Sequence, residues 1–99
     1  MIRVEIKKDV ITVKGHANQA VSGNDIVCAS VSTAIIMSVN QIEVFNKAHC
    51  IETEIADGYA SITVVSEDEV VTKVLDNLIF TFKDLELEYP KYIKINEKI

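Results

Sequence analysis

Hydrophobic and polar residues alternate in five short stretches of the chain, which is the period-two pattern of half-buried β-strands. The predicted strands are Ile2 to Ile6, Val10 to His16, His49 to Ala56, Tyr59 to Val65 and a last short strand around Ile93 and Ile95. Asp57-Gly58 separates the third strand from the fourth and is typical of a two-residue hairpin turn. The pattern therefore predicts two hairpins and one further strand, at an edge of the sheet, near the end of the chain.

Two other segments repeat apolar residues at helical spacing. The first, about Asp25 to Phe45, is uncharged between Asp25 and Glu43 and apolar on nearly every face, so it is expected to be buried on more than one side. The second begins at a capping box of Ser66 and Glu69 and runs to about Glu88, before Pro90. The resulting order ββαββαβ predicts an α+β fold with a mainly antiparallel sheet and two helices.

Length and composition predict one folded domain. The 99 residues fit a single core, so residues 1–99 are taken as one unit. Nearly half of the residues are apolar and a quarter are charged, which is an ordinary globular balance. The net charge of −5 argues against direct nucleic-acid binding, because such proteins usually carry a clustered basic face. A basic partner is the better expectation.

The apolar first helix raises the questions of membrane insertion and of self-association. Serine, threonine, asparagine and glutamine interrupt it, which argues against a membrane span. No apolar signal core follows Met1, so we expect a cytoplasmic protein whose cysteines are thiols, with a Cys28–Cys50 disulfide as the less favoured alternative. One small sheet covers only part of such a helix, which favours a homodimer over a monomer that exposes a Ser/Asn stripe.

The stretch from residue 15 to residue 34, GHANQAVSGNDIVCASVSTA, combines the residue types of a thiol nucleophile and its base. With Asn24 or Asp25 as N-cap, Cys28 falls in the first helical turn, where unpaired N–H groups and the macrodipole favour a thiolate. His16 ends the second strand and is the available base. The free N–H groups of that turn, including that of Cys28, can then form an oxyanion hole. Asp25 would support the pair if its carboxylate holds the histidine.

Other interpretations of the same residues stay open at this point. Cys28 can be a small core residue and His16 a surface residue. A zinc site has suitable ligand types but unusual spacing; its four ligands would be His16, Cys28, His49 and Cys50. Adjacent residues on a strand point to opposite faces, so His49 and Cys50 are expected to serve strand packing. The small and polar residues 17–24 are expected to form either a substrate-ordered loop or an ordinary connection.

The motifs GHA and DIVCASVS, separated by a segment that contains Gly23, closely resemble those of the ribosomal-processing cysteine protease family, Prp. The resemblance extends over the chain length, the apolar helix and the element order. It implies that His16 and Cys28 are the catalytic dyad, that Asp25 matches the aspartate of the motif, and that no cofactor is needed. Ser30 stands where the family more often has alanine. Family members form homodimers and remove a short N-terminal extension from a large-subunit ribosomal protein, cutting after an aromatic residue.

Two functions of different classes therefore follow from the sequence. The first is a cytoplasmic cysteine endopeptidase that acts on the precursor of a large-subunit ribosomal protein. The alternative is a non-catalytic dimeric ribosome-biogenesis binding module in which Cys28 is structural. The chemical reactivity of Cys28 separates the two, because only the endopeptidase needs an activated thiolate there.

Overall fold

The computed structural model describes residues 1–15 and 22–98, and for residues 22–25 it describes the backbone alone. The elements, in chain order, are β1 (Ile2–Ile6), β2 (Val10–Lys14), α1 (Ser22–Val44), a 3₁₀ turn (Ala48–Cys50), β3 (Ile51–Ala56), β4 (Tyr59–Val64), α2 (Glu69–Glu88) and β5 (Ile93–Glu97). The order ββαββαβ predicted from the sequence is confirmed.

The five strands form one sheet in the order β3-β4-β2-β1-β5. The pairs β1-β2, β2-β4 and β3-β4 are antiparallel, and only β5 runs parallel to its neighbour, β1. The prediction of a mainly antiparallel sheet with a last strand at an edge is therefore confirmed. β3 forms the opposite edge, so the hairpin at Asp57 and Gly58 lies on the far side of the sheet from β5.

Both helices pack on one face of this sheet. Alternate strand residues such as Ile2, Val4 and Ile6 are buried, whereas the intervening Arg3 is exposed. Phe82 of α2 is fully buried and is the largest side chain among the fully buried core residues. The core thus lies between one sheet face and two helices, and the other sheet face carries no helix among the described residues.

Helix α1 begins three residues earlier than the sequence predicts, at Ser22 instead of Asp25. Ser22, Asn24 and Asp25 are all good helix-capping residues, so residue type alone does not decide among them. The buried positions recur every three or four residues, as expected for a helix with one side on a core; they are Val27, Val31, Ile35, Ser38 and Ile42. The Ser38 hydroxyl donates a hydrogen bond of 2.8 Å to the Ala34 carbonyl, which satisfies it within the helix.

The segment Ile26–Val44 of α1 is long and apolar enough to cross a membrane by length and composition. The polar residues of this helix therefore do not exclude a membrane span, contrary to the interpretation of the sequence. Core helices of soluble proteins pass the same test, and one side of α1 packs in the core described above.

Residue-level details of the second half differ from the sequence prediction at two places. The N-cap of α2 is Asp68, not Ser66, because the Asp68 carboxylate accepts hydrogen bonds from the N–H groups of Val70 and Val71. The Lys47 ammonium lies 2.8 Å from the other Asp68 oxygen. Hydrogen bonding between these two side chains lowers the pKa of Asp68 and raises that of Lys47.

His49 and Cys50 lie in the 3₁₀ turn before β3, not in the strand.

The hairpin between β3 and β4 forms as predicted at Asp57-Gly58. Only Gly58 of the two turn residues takes a positive φ, of 72°. Glycine adopts this conformation without the steric cost that a Cβ atom brings, so the second turn position is the one that needs it.

Candidate active site

A cavity of about 180 Å³ opens to solvent between α1 and the ends of the strands β2, β3 and β4. Its wall is largely apolar and includes Val13, Val31, Ile36, Ile55, Tyr59 and Ala60. Cys28 and Gly15 belong to the same wall. The sheet order brings these distant parts of the chain together, because β4 pairs with both β2 and β3 at this end.

Cys28 is the half-buried thiol of this cavity. It also packs against the hydrophobic core, so α1 fixes its position. The helix start at Ser22 places Cys28 as its seventh residue, beyond the first turn predicted from the sequence. Only the first four N–H groups of a helix lack intrahelical partners, and the macrodipole acts mainly in the first turn. The prediction that Cys28 lies in the first turn of α1, with its N–H among the unpaired donors of an oxyanion hole, is therefore wrong. Activation of the thiol stays a prediction.

Gly15 sets the direction in which the chain leaves β2 toward His16. Its φ is 94°, and its N–H donates a 2.9 Å hydrogen bond to the carbonyl of Gly58. A Cβ atom at this position would lie 2.5 Å from the Met1 carbonyl oxygen, which is a backbone clash. Both the positive φ and the close approach of Met1 therefore require glycine here.

We expect Gly15→Ala to lower the free energy of unfolding by about 1 to 3 kcal/mol, because the chain must relieve both the strained φ and the contact with Met1. Thermal unfolding followed by circular dichroism measures the loss. Ala56→Gly in the exposed end of β3 is the comparison for an alanine-glycine exchange. Unchanged stability of Gly15→Ala would contradict the constraint.

The other residues proposed for catalysis are only partly described. His16 lies outside the described residues, and Asp25 belongs to α1 by its backbone while its side chain lies outside the description. Of the predicted loop 17–24, residues 22–24 are helical, and the remainder is outside the described part. The structure consequently locates the nucleophile of the predicted dyad but does not test its pairing with His16.

Cys50 lies away from the cavity in the hydrophobic core, with 2% of its surface exposed. Cys28 and Cys50 are both thiols, as expected for the favoured reading of the sequence. Within residues 1–15 and 26–98, no three His, Cys, Asp or Glu side chains are grouped so that they could hold a metal ion. The zinc hypothesis also requires His16, which is not among them.

Sequence reasoning did not find most of the cavity wall. Ile55, Tyr59 and Ala60 are ordinary strand residues by pattern, and only the pairing of β3, β4 and β2 brings them to Cys28. The alternation on β4 identifies Ala60 as facing the helices but not which helical residue it meets.

Comparison with known proteins decides the family. The model of the family "Cysteine protease Prp" matches residues 1–94. The chain belongs to the Prp family of cysteine proteases. The ribosomal processing cysteine protease Prp of Mycoplasma genitalium is 30% identical over 98 residues, which is 99% of this chain and 97% of that protein. Membership of this family makes the chain a cysteine endopeptidase.

Solved structures, Prp from S. aureus among them, share the fold. The crystal structure of the essential ribosomal processing protease Prp from S. aureus with a covalently linked product peptide has a TM-score of 0.84 and 26% identity. The match covers 99% of this chain and 100% of that one. SMU.848 from Streptococcus mutans has a TM-score of 0.74 and 25% identity, with 97% and 90% of the two chains covered. The α+β fold predicted from the sequence is thus the fold of Prp proteins.

Proposed function

We propose that this protease removes a short N-terminal extension from a large-subunit ribosomal protein, using Cys28 as nucleophile and His16 as base. One observation carries the proposal: in a chain of the Prp family, the half-buried Cys28 thiol belongs to the wall of an apolar cavity that is open to solvent. Gly15, the residue bonded to His16, belongs to the same wall, which supports the choice of this histidine. The proposed cellular location is the cytoplasm.

The chemistry follows from a thiol and an imidazole. His16 accepts the proton of the Cys28 thiol, and the sulfur attacks the carbonyl carbon of the scissile peptide bond. The C–N bond breaks, the leaving amine takes the proton from His16, and the N-terminal fragment stays on Cys28 as a thioester. Water, deprotonated by His16, then hydrolyses the thioester and restores the thiol. Asp25 is proposed to orient His16. The S. aureus protease with its covalently linked product peptide is a relative consistent with such a bond.

The apolar cavity supports cleavage after an aromatic residue. Its walls are mainly aliphatic side chains, and its volume of about 180 Å³ is similar to the roughly 150 Å³ apolar cavity that binds benzene in an engineered protein. A phenyl ring bound in this cavity would bury its apolar surface next to the Cys28 sulfur. The family resemblance stated from the sequence implies the same preference.

We expect Ala60→Leu to lower kcat/KM at least about tenfold for a peptide with phenylalanine before the cut, because the larger side chain fills the cavity. Ser61→Leu is the matched control, since alternation places residue 61 on the opposite sheet face, away from the helices. The measurement compares kcat/KM for peptides with phenylalanine and with alanine at that position. Equal losses for both peptides, or an unchanged value for the phenylalanine peptide, would count against this pocket.

The reactivity of Cys28 separates the endopeptidase from a non-catalytic binding module. Exposure alone makes Cys28 react faster than the buried Cys50, so the informative comparison is between the wild type and His16→Ala. We expect His16→Ala to slow iodoacetamide labelling of Cys28 at pH 6 to 7 by about tenfold or more, because the imidazole no longer takes the thiol proton. His49→Ala is the control. Labelling that is identical in all three proteins would favour the module.

A homodimer is the second part of the proposal. Four large apolar side chains of α1 are at least half exposed: Ile26 at 50%, Ile36 at 54%, Met37 at 60% and Val44 at 78%. Ile36 also lines the Cys28 cavity, whereas Ile26, Met37 and Val44 do not. The spacings of 11 and 18 residues from Ile26 are about three and five helical turns, so the three residues form one stripe. A second copy of α1 would cover this stripe. Val39 of the same helix packs against the core and is not part of this stripe.

A further inference from the structure

The sheet face that carries no described helix has an uneven distribution of charge. Strand alternation places Arg3 and Glu5 of β1, Lys14 of β2 and Lys94 of β5 on this face, because their neighbours in sequence are the buried core residues. Glu52 and Glu54 lie on the same face at the β3 edge. The face is thus acidic at one edge of the sheet and basic toward the other.

The strand register assembles three cations into one row. Arg3 is directly opposite Lys14 on one side and directly opposite Lys94 on the other. Neighbouring strands lie about 4.8 Å apart, so the three residues are close neighbours on the surface. All three side chains are exposed, and none forms an ion pair with another residue in the described part of the chain. Like charges directly opposite each other destabilise a sheet, so the row favours an anionic partner.

An aromatic residue continues the row toward the β3 edge of the sheet. Tyr59 of β4 is directly opposite Lys14 and is half-buried, and alternation with Ala60, which faces the helices, places its side chain on the open sheet face. RNA-binding sheets use cations to contact phosphates and aromatic side chains to stack on bases. This open sheet face has a row of cations and an aromatic side chain beside it. The basic row is defined as Lys14, Arg3 and Lys94 with Tyr59, and it lies on the sheet face opposite the helices and the Cys28 cavity.

We propose that the basic row binds the phosphate backbone of RNA. We choose RNA over an acidic protein segment because the ring of Tyr59 offers a stacking surface to a base. The proposal rests on the proposed function, since a ribosomal substrate would bring RNA near the enzyme. The net charge of −5 disfavours nucleic-acid binding by the chain as a whole, but the basic row is a local cationic surface. Residues 3, 14 and 94 are far apart in sequence, and only the register of β2, β1 and β5 brings them together.

The test measures binding of a fluorescein-labelled 20-nucleotide mixed-sequence RNA by anisotropy over a series of KCl concentrations. The variant Arg3→Gln/Lys94→Gln removes two cations of the row, and Lys73→Gln/Lys83→Gln removes two cations of α2 as a control of equal net charge. For single-stranded nucleic acid, the slope of log K against log salt concentration is about −0.7 per phosphate contact. Loss of two contacts should therefore reduce the magnitude of this slope by about 1.4. We also expect affinity about tenfold lower at 50 mM KCl in the row variant and unchanged in the control.

Four results would overturn the proposal: no RNA binding by the wild type, equal weakening in both variants, displacement of RNA by polyglutamate as efficiently as by unlabelled RNA, or a wild-type dimer that the row variant converts to a monomer. The third result would assign the row to an acidic protein segment and the fourth to a second copy. Cleavage of a free precursor peptide by the row variant should equal that of the wild type. A wild type that fails to cleave this peptide would count against the proposed function and not against the basic row.

Discussion

Cys28→Ala is expected to abolish cleavage of the precursor peptide, with a loss in kcat on the order of a millionfold. The only proposed nucleophile disappears, whereas the helix and its contacts change little, because alanine is a good helix former and Cys28 is only half-buried. The loss is measured by a discontinuous assay of the peptide products with liquid chromatography and mass spectrometry. The enzyme concentration is set high enough to detect residual turnover. Circular dichroism should show an unchanged spectrum.

Cys50→Ala is the matched control for that experiment. Cys50 is buried away from the cavity, so its truncation should cost about 1 to 2 kcal/mol of stability and leave kcat/KM nearly unchanged. Substantial cleavage by pure Cys28→Ala protein would contradict the role of Cys28. Loss of turnover in a folded Cys50→Ala protein would show instead that the wrong cysteine has been assigned.

Met37→Lys is expected to convert a wild-type dimer into monomers at low micromolar concentration. Each dimer would then bury two uncompensated ammonium groups, and burial of each group costs several kcal/mol. We therefore expect the dissociation constant of the dimer to rise by about a thousandfold or more. The exposed position of Met37 leaves the monomer core intact, whereas lysine at Val39 would also disturb core packing. Sedimentation velocity measures the outcome.

Asn77→Lys on the exposed surface of α2 adds the same charge away from the α1 stripe and should leave the dimer intact. A monomeric wild type would refute the dimer. A Met37→Lys protein that stays dimeric would place the interface elsewhere on the chain.

The element order was predictable because the chain carries strong periodic signals. Alternation in β1 and the hairpin residues Asp57-Gly58 agree with the final structure at nearly every position. Helix starts were less predictable, since Ser22, Asn24 and Asp25 compete as caps of α1, and Asp68 competes with Ser66 at α2. Local propensity does not rank such alternatives. At α2 the structure identifies Asp68 as the cap, because its carboxylate accepts hydrogen bonds from the N–H groups of Val70 and Val71.

The sequence motif predicts the proposed nucleophile, whereas the residues around it could not be predicted. Cys28 was identified from its motif, and the structure locates it at a cavity. The wall residues Ile55 and Ala60 and the row of Arg3, Lys14 and Lys94 depend on which strands become neighbours. That order is a property of the whole sheet, and no local pattern around residues 3, 14 or 94 encodes it.

The most direct test of the proposed activity is incubation of the purified protein with the precursor of a large-subunit ribosomal protein, followed by intact mass analysis in ordinary water and in H₂¹⁸O. The account predicts a single cut immediately after an aromatic residue near the N-terminus, with one ¹⁸O atom in the carboxylate of the released extension. Cys28→Ala protein should leave the precursor intact. An uncleaved precursor with the folded wild-type protein, or the same products from the Cys28→Ala protein, would contradict it.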